Sequence, residues 1–155
     1  MQSRMKNHQM SEREIDILFE EEKVGRIATL NSDGFPYVVP VHFVYAEGKI
    51  YIHGLIKGQK LDNIQKNPKV CFEIERMEGF LPDERPCDVN TEYKSVVAFG
   101  SAALVENPDE KKEILNMIVH KYMPHLSGKP FPQNMVNGTG VIEISITART
   151  GKYYG

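Results

Sequence analysis

The strongest constraint on the fold is a series of short strand-like runs that begins at Val24. Apolar and aromatic residues dominate these runs, and glycine, proline, asparagine and aspartate mark the turns between them. The predicted strands are Val24–Leu30, Tyr37–Tyr45, Ile50–His53, Val70–Met77, Tyr93–Glu106 and Gly140–Arg149. The first three are separated by short turns, which predicts a meander of three antiparallel strands. Six strands of this kind are typical of a small antiparallel barrel.

Three helices accompany the strands, so the predicted fold class is mainly β with peripheral helices. The first helix follows Ser11, which has with Glu14 the spacing of a capping box. The other two are predicted at Gly58–Asn67, which Pro68 ends, and at Asn107–Met123.

Two residues interrupt the strand pattern. Pro40 lies in the most apolar strand, where the missing N–H normally marks an edge or a bulge. Gly100 lies inside the long Tyr93–Glu106 run and also suggests a bulge or bend. The strand around Pro40 is apolar on both faces, so we expect a helix or a second subunit to cover its outside. A homodimer follows as an expectation.

Composition limits the class of protein. A chain of 155 residues with 41% hydrophobic residues is the size of one domain, predicted at residues 11–155 after a loose polar tail at 1–10. The net charge of -2 gives no broad basic field, which argues against nucleic acid as a partner. No apolar run approaches the roughly 20 residues of a membrane span. The chain has two cysteines and no N-terminal apolar signal segment, which favours a cytoplasmic location.

Several familiar catalytic motifs are missing from the sequence. The run "GLIKGQKL" is one residue too short between its glycines for a P-loop, and Leu61 replaces the required Ser or Thr. The five histidines and two cysteines form no zinc pattern, so no metal site is expected. A G-x-S-x-G nucleophile elbow is also absent.

The junction between the third strand and the second helix has the residues of an anion site. Lys60 lies in the first helical turn and Lys57 in the loop before it, while Gly54 and Gly58 allow close backbone approach. A helix start offers free N–H groups and the positive end of a dipole. The same residues are also compatible with a simple glycine turn and solvated lysines.

Three blocks of the sequence together resemble a known family. They are "VGRIATLNSDGFPYVVPVHFVYAEGKIYIHG", "GQKLDNIQKNPKVCFEIE" and "CDVNTEYKSVVAFGSAALVE". They resemble the flavin-binding split-barrel proteins related to pyridoxamine 5′-phosphate oxidase, and among these most nearly the nitroimidazole-resistance branch. The resemblance covers about Ile15 to Glu106 and, more weakly, the final strand.

The resemblance implies a six-stranded antiparallel split barrel that forms a homodimer with FMN at the interface, FAD being the alternative flavin. Backbone groups of Val39, Pro40 and Val41 would lie along the flavin ring. His53 and Gly54 would border the ribityl chain and phosphate, and Lys60 would neutralise the phosphate. Tyr93 and Ser95 would add polar contacts, in one reading to the partner's flavin.

One position departs from the family pattern. Relatives commonly have arginine before the matching lysine, where this chain has Gln59. An amide can hydrogen-bond a phosphate but lacks the bidentate, charged fork of arginine. Gln59 is therefore expected to bind the phosphate more weakly, or to alter the preference between FMN and FAD.

The implied activity is electron transfer from reduced flavin to a small planar acceptor such as a nitroaromatic compound. His53 or His42 would then be the nearest proton donor, and either histidine could instead only pack or hydrogen-bond the cofactor. Oxidation of pyridoxamine phosphate is not expected, because the few arginines form no cluster in the sequence. The alternative from another class is a non-catalytic flavin-holding or haem-binding protein on the same barrel.

Overall fold

The protein folds around one seven-stranded antiparallel sheet. A computed structural model describes residues 6–155. The strands are β1 (Gly25–Leu30), β2 (Pro36–Val41), β3 (Phe43–Ala46), β4 (Lys49–Leu55), β5 (Lys69–Leu81), β6 (Asn90–Leu104) and β7 (Thr139–Tyr154). The helices are α1 (Glu12–Glu21), α2 (Gln59–Lys66), α3 (Pro108–Tyr122) and the short α4 (Gln133–Asn137).

The strand order is β2-β1-β5-β6-β7-β4-β3, so β2 and β3 are the two opposite edges of the sheet. The sheet curves without closing, which confirms a mainly β split barrel with peripheral helices. It has seven strands where six were predicted, because the run Tyr37–Tyr45 forms two strands.

The predicted three-strand meander is wrong. β1 pairs with β2 and β3 pairs with β4, but β2 and β3 do not pair. The chain leaves one edge of the sheet at Val41, passes through His42 and joins the other edge at Phe43. There the main-chain N–H of Phe43 donates to Tyr122 Oη at 2.8 Å, so a side chain from α3 fixes the break.

Two predictions about irregular residues are confirmed. Pro40 lies on β2, an edge strand, which is where a residue without an N–H is tolerated in a sheet. At Gly100 the register between β6 and β7 shifts, as expected of a bulge. A Cβ on Gly100 would come 2.4 Å from the carbonyl oxygen of Ser145, so β7 approaches too closely for any side chain.

Two apolar clusters hold the layers together. The larger fills the barrel and includes Phe19 of α1 with Phe43 and Phe72 of the strands, all at most 1% exposed. The smaller lies on the other face of β4 and β7, beneath α3 and α4. The predicted capping box of α1 is confirmed, since Ser11 N–H donates to Glu14 Oε2 at 2.7 Å and Glu14 N–H donates back to Ser11 Oγ.

The first residues that the structure describes do not form the loose tail predicted for residues 1–10. Gln9 forms a bridge with Lys152, and Met10 N–H donates to the carbonyl of Gly151 at 3.0 Å. The Met10 side chain is buried in the barrel core. The remainder of the predicted tail, residues 1–5, lies outside the described residues. None of the helices described in residues 6–155 has the length and apolar character needed to cross a membrane.

Candidate functional site

The candidate site is built around the outer face of β4. Alternation along this strand turns Ile50 and Ile52 into the barrel core, so Tyr51 and His53 point to the opposite face, toward α3. His53 is half-buried there. Its strand neighbour in β7 is Val141, and the next pair along joins Gly54 to Gly140.

His53 borders a cavity of about 210 Å³, called here the His53 cavity. Its other lining residues are Leu115, Ile118, Val119, Phe131, Met135, Val136 and Thr139. His53 Nδ1 is buried and has no hydrogen-bond partner within residues 6–155. Burial lowers the pKa of His53, and the nearby His42 and Lys60 lower it further by repulsion. The ring is therefore neutral at neutral pH, and its buried Nδ1 is left without a hydrogen-bond partner among the described residues.

His42 approaches His53 because it immediately precedes the Phe43–Ile52 pair of β3 and β4. Its side chain is exposed, but its ring lies 4.9 Å from the ring of Tyr122. The predicted pair of candidate histidines is thus brought together at one end of the sheet, and α3 supports both.

The start of α2 faces the same end of β4. Its N-cap is Gly58, which offers no side-chain hydrogen bond. The main-chain N–H groups of Gln59 and Lys60 have no acceptor in the part of the chain described. A Cβ placed on Gly54 would lie 3.5 Å from Lys60 Nζ, so the lysine extends across this glycine. No carboxylate or carbonyl within residues 6–155 binds Lys60 Nζ, which leaves its charge available to an anion.

Gln59, predicted to contact the phosphate, uses its side-chain amide inside the protein. Its Nε2 donates to Asn63 Oδ1 at 2.8 Å and to Asn31 Oδ1 at 3.3 Å. Asn63 in turn donates to Thr29 Oγ1 at 2.9 Å and to Asn31 Oδ1 at 2.8 Å. Both N–H bonds of the Gln59 amide are used inside the protein. Gln59 ties α2 to the turn after β1, and Asn63 ties it to Thr29 of β1.

This network was not predicted from the sequence. Asn63 is 1% exposed and Thr29 4% exposed, and both are polar. Asn63 is adjacent to Ile64 on the buried face of α2, where a polar side chain requires a partner. That position on the apolar face was the signal that could have identified it.

The β2 residues expected along a flavin ring form an exposed edge. Val39 and Val41 pack partly against the barrel core, whereas Pro40 points outward and is exposed. β2 pairs with β1 on one side and has no strand partner on the other among the described residues. Its unpaired backbone leads through His42 directly to the His53 end of β4.

Tyr93 and Ser95 lie elsewhere. On β6, Ser95 pairs with Lys152, whereas Leu104 pairs with Ile142, next to the Val141 that faces His53. Ser95 and Leu104 are nine residues apart, which is roughly 30 Å along a strand. Within one chain the structure therefore does not bring Tyr93 and Ser95 to the site of His53 and Lys60.

The arrangement can hold an anion and a flat ring side by side. Free amides and an unpaired lysine fit a phosphate group. The unpaired β2 edge and the apolar cavity beside His53 fit a heteroaromatic ring. Four of the arginines among residues 6–155 are instead occupied by carboxylates: Arg26 with Glu73 and Glu75, Arg76 with Glu21 and Glu22, Arg85 with Asp88, and Arg149 with Glu12 and Asp16. The described residues hold no group of three or more His, Cys, Asp or Glu side chains arranged for a metal ion.

Comparison with solved structures shows the same fold in several proteins. A protein from Bacteroides thetaiotaomicron assigned to 5-nitroimidazole antibiotic resistance superposes with a TM-score of 0.81 at 22% identity, covering 93% of this chain and 85% of its own. A flavocytochrome from Azotobacter vinelandii superposes with a TM-score of 0.84 at 19% identity, covering 94% of this chain and 68% of its own. An FAD- and haem-binding protein from Mycobacterium smegmatis superposes with a TM-score of 0.86 at 17% identity, covering 94% of this chain and 73% of its own.

No curated protein sequence matches the chain. The sequence model described as pyridoxamine 5′-phosphate oxidase matches residues 11–153, which is nearly the whole chain. The match includes every strand of the sheet and both sides of the candidate site. The chain therefore belongs to the pyridoxamine 5′-phosphate oxidase family.

Proposed function

We propose that the protein binds FMN between two copies of the chain and passes electrons from the reduced flavin to a small planar acceptor, such as a nitroaromatic compound. The observation that carries the proposal is the start of α2. Free amides of Gln59 and Lys60 and the unpaired Lys60 ammonium converge there, beside the bare backbone of Gly54. This is the arrangement that binds a phosphate monoester.

The structural relatives support a flavin as the ligand. Two of them are a flavocytochrome and an FAD- and haem-binding protein, and a third is assigned to nitroimidazole resistance. Their identities to this chain are 22% or less, so the residues of this chain must supply the rest of the argument.

Bound flavin would supply the redox chemistry, and the chain's own residues would hold it. Lys60 and the α2 amides bind the phosphate. The unpaired edge of β2 around Val39, Pro40 and Val41 offers backbone donors and acceptors to the ring. The Gln59 network holds the start of α2 in place rather than contacting the ligand.

His53 has a role set by its lowered pKa. As a neutral ring it donates one hydrogen bond and accepts another, so at neutral pH it orients a ligand. Its contribution as a proton donor grows as the pH falls. His42, exposed beside it, is the second candidate for proton transfer.

A second copy of the chain would complete the site. Large apolar side chains are exposed around β2 and at the end of β4: Phe35 at 70%, Val38 at 57%, Leu55 at 77% and Ile56 at 54% exposure. Such residues favour burial against a partner. In a dimer, Tyr93 and Ser95 of one subunit could contact the flavin of the other, although they lie far from the site in their own chain.

The proposal is tested by titrating the purified protein with FMN, FAD and riboflavin while following flavin fluorescence and absorbance. We expect FMN to bind at least tenfold more tightly than riboflavin, which lacks the phosphate. Lys60→Gln should remove most of that difference, whereas Lys66→Gln, at the other end of α2, should not. A protein that binds none of the three flavins would overturn the proposal.

A second experiment concerns the acceptor and the histidines. His42→Ala and His53→Ala are each loaded with FMN and assayed for reduction of a nitroaromatic compound, with flavin affinity measured separately. Loss of turnover without loss of flavin supports a proton-transfer role for that residue. Unchanged turnover in both variants would rule out that role.

Haem is the alternative ligand. The His53 cavity of about 210 Å³ in one chain is below the roughly 300–1,000 Å³ of typical small-molecule sites, so either a flavin or a haem would need further space, which a second copy of the chain would enclose. A visible spectrum distinguishes the two ligands, since flavin gives two bands and haem an intense Soret band.

A further inference from the structure

A second cavity lies on the opposite flank of α3 from the His53 cavity. Its volume is about 700 Å³, and its walls are the end of α1, β3 and α3. The lining residues are Glu20, Lys23, Val44, Tyr45, Asn116, Met117, His120 and Lys121. We call it the Lys121 cavity. It shares none of its lining residues with the His53 cavity, so α3 separates two independent spaces.

Lys121 is the principal charge of this cavity. Its Nζ donates to the carbonyl of Phe19 at 3.0 Å and lies 3.9 Å from the centre of the Phe43 ring. An ammonium has three N–H bonds, and only one of those on Lys121 has an acceptor within residues 6–155. Lys23 Nζ reaches the same region and donates to the main-chain carbonyl of Lys121 at 3.1 Å. Two ammonium groups are thus held close together.

Burial lowers the pKa of Lys121 to about 8, with Lys23 adding repulsion and the carboxylates of Glu22 and Glu20 opposing both. Glu20 also lines the cavity, but no carboxylate within residues 6–155 forms an ion pair with the Lys121 ammonium. An anion in the cavity would supply that counter-charge.

Asn116 provides a second polar group without a partner. Its Oδ1 is buried and accepts no hydrogen bond within residues 6–155. Almost none of this oxygen's surface is accessible, so a ligand N–H or O–H would meet it only after the Asn116 side chain turns toward the cavity that it lines. That rotation would place an acceptor and a cation in one cavity.

The rest of the lining is apolar or aromatic. Val44, Met117 and the ring of Tyr45 form its walls. A thioether and an aromatic ring both make favourable contacts with the face or edge of another ring. The volume lies within the range of small-molecule sites, which typically combine an apolar lining with a few convergent polar groups.

We propose that the Lys121 cavity binds a small aromatic carboxylic acid that carries a hydroxyl or amino group. The carboxylate would contact Lys121, the ring would lie against Met117 and Tyr45, and the hydroxyl or amino group would donate to Asn116 Oδ1. The site lies outside the proposed flavin site and does not depend on it.

The proposal is tested by NMR on protein labelled at the methionine methyl groups. Benzoate, the three hydroxybenzoates and neutral benzamide serve as probes, and the Met117 methyl signal reports occupancy of the cavity. We expect at least one hydroxybenzoate to bind more tightly than benzoate, and benzoate about tenfold or more tighter than benzamide. The other methionine signals should move little, which localises the effect.

Two variants sharpen the test. Lys121→Met should reduce hydroxybenzoate affinity about tenfold or more, while Lys112→Met, the same substitution on the same helix outside the cavity, should leave it unchanged. Asn116→Leu should remove the advantage of hydroxybenzoate over benzoate. FMN affinity should be the same in all three variants, so failure here is separable from failure of the flavin proposal.

Three results would overturn the proposal. The Met117 signal could fail to respond to any acid at millimolar concentration. Benzamide could bind as tightly as benzoate in the unmodified protein, a comparison that needs no folded variant. Lys121→Met could also bind the acids as well as the unmodified protein does.

Discussion

The first turns of α1 and α2 differ in how their main-chain N–H groups are satisfied. α1 begins with a complete capping box, in which Ser11 and Glu14 satisfy each other's main-chain N–H groups. α2 begins at Gly58 with no side-chain cap, and its first turn contains Lys60 together with one acidic residue, Asp62. A cation at this end opposes the helix dipole, whereas acidic residues favour it.

The α3 start behaves like that of α1. Asn107 Oδ1 accepts from the N–H groups of Asp109 and Glu110, and both of those residues are acidic. Among these three longer helices, α2 alone leaves its first amides without a side-chain cap. The difference leaves the first amides of α2 open to an anion, which is the feature on which the flavin proposal rests.

The largest expected effect comes from reversing the charge at the start of α2. Lys60→Glu should weaken FMN binding at least about 100-fold, because it removes the cation and places a carboxylate beside the phosphate. The same change should keep or raise the stability of the flavin-free protein by about 0.3–1 kcal/mol, since it favours the helix dipole. Flavin titration and urea unfolding measure the two effects.

Lys66→Glu is the matched control at the other end of α2. It removes the Lys66 Nζ to Ser32 Oγ hydrogen bond of 2.8 Å and places a negative charge at the negative end of the dipole. Stability should therefore fall slightly, while FMN affinity stays within about twofold. Equal loss of FMN binding in the two variants would show that total charge, and not the start of α2, governs affinity.

An effect of intermediate size is expected at the capped helix. Ser11→Ala breaks the α1 capping box and should lower the free energy of unfolding by about 1 kcal/mol, within a usual range of about 0.5–2. FMN affinity should not change, because α1 contributes no proposed ligand contact. Ser101→Ala, at an exposed position of β6, is the control and should leave the midpoint of urea unfolding in place.

Features set by short-range sequence were predictable. The capping box, the edge position of Pro40 and the bulge at Gly100 each follow from the chemistry of one or two residues, and each is confirmed. The start of α2 and its lysine were also located from sequence. These features depend on neighbours within a few positions.

Features set by distant contacts were not predictable. The apolar run Tyr37–Tyr45 continues past His42 in the sequence, yet the strand breaks there, where Tyr122, 79 residues after Phe43, binds the Phe43 N–H. The Gln59 network likewise depends on Asn31, which is 28 residues away. The separation of Ser95 from His53 follows from strand register, which no single segment encodes.

The smallest expected effect concerns one proton at His53. Lys60 lowers the pKa of His53 by repulsion, so Lys60→Gln should raise it, and Lys60→Glu should raise it further. Histidine NMR titration measures the change directly. Because the folded-state pKa of His53 is below the unfolded value of about 6.5, stability declines as the pH falls below 6.5, and Lys60→Gln should lessen that decline.

Inorganic phosphate bound at the start of α2 should also raise the pKa of His53 in the unmodified protein, since the phosphate offsets the Lys60 charge. An unchanged His53 titration in both variants and with phosphate would show that Lys60 and His53 act independently, and would separate the anion site from the histidine that the fold places beside it.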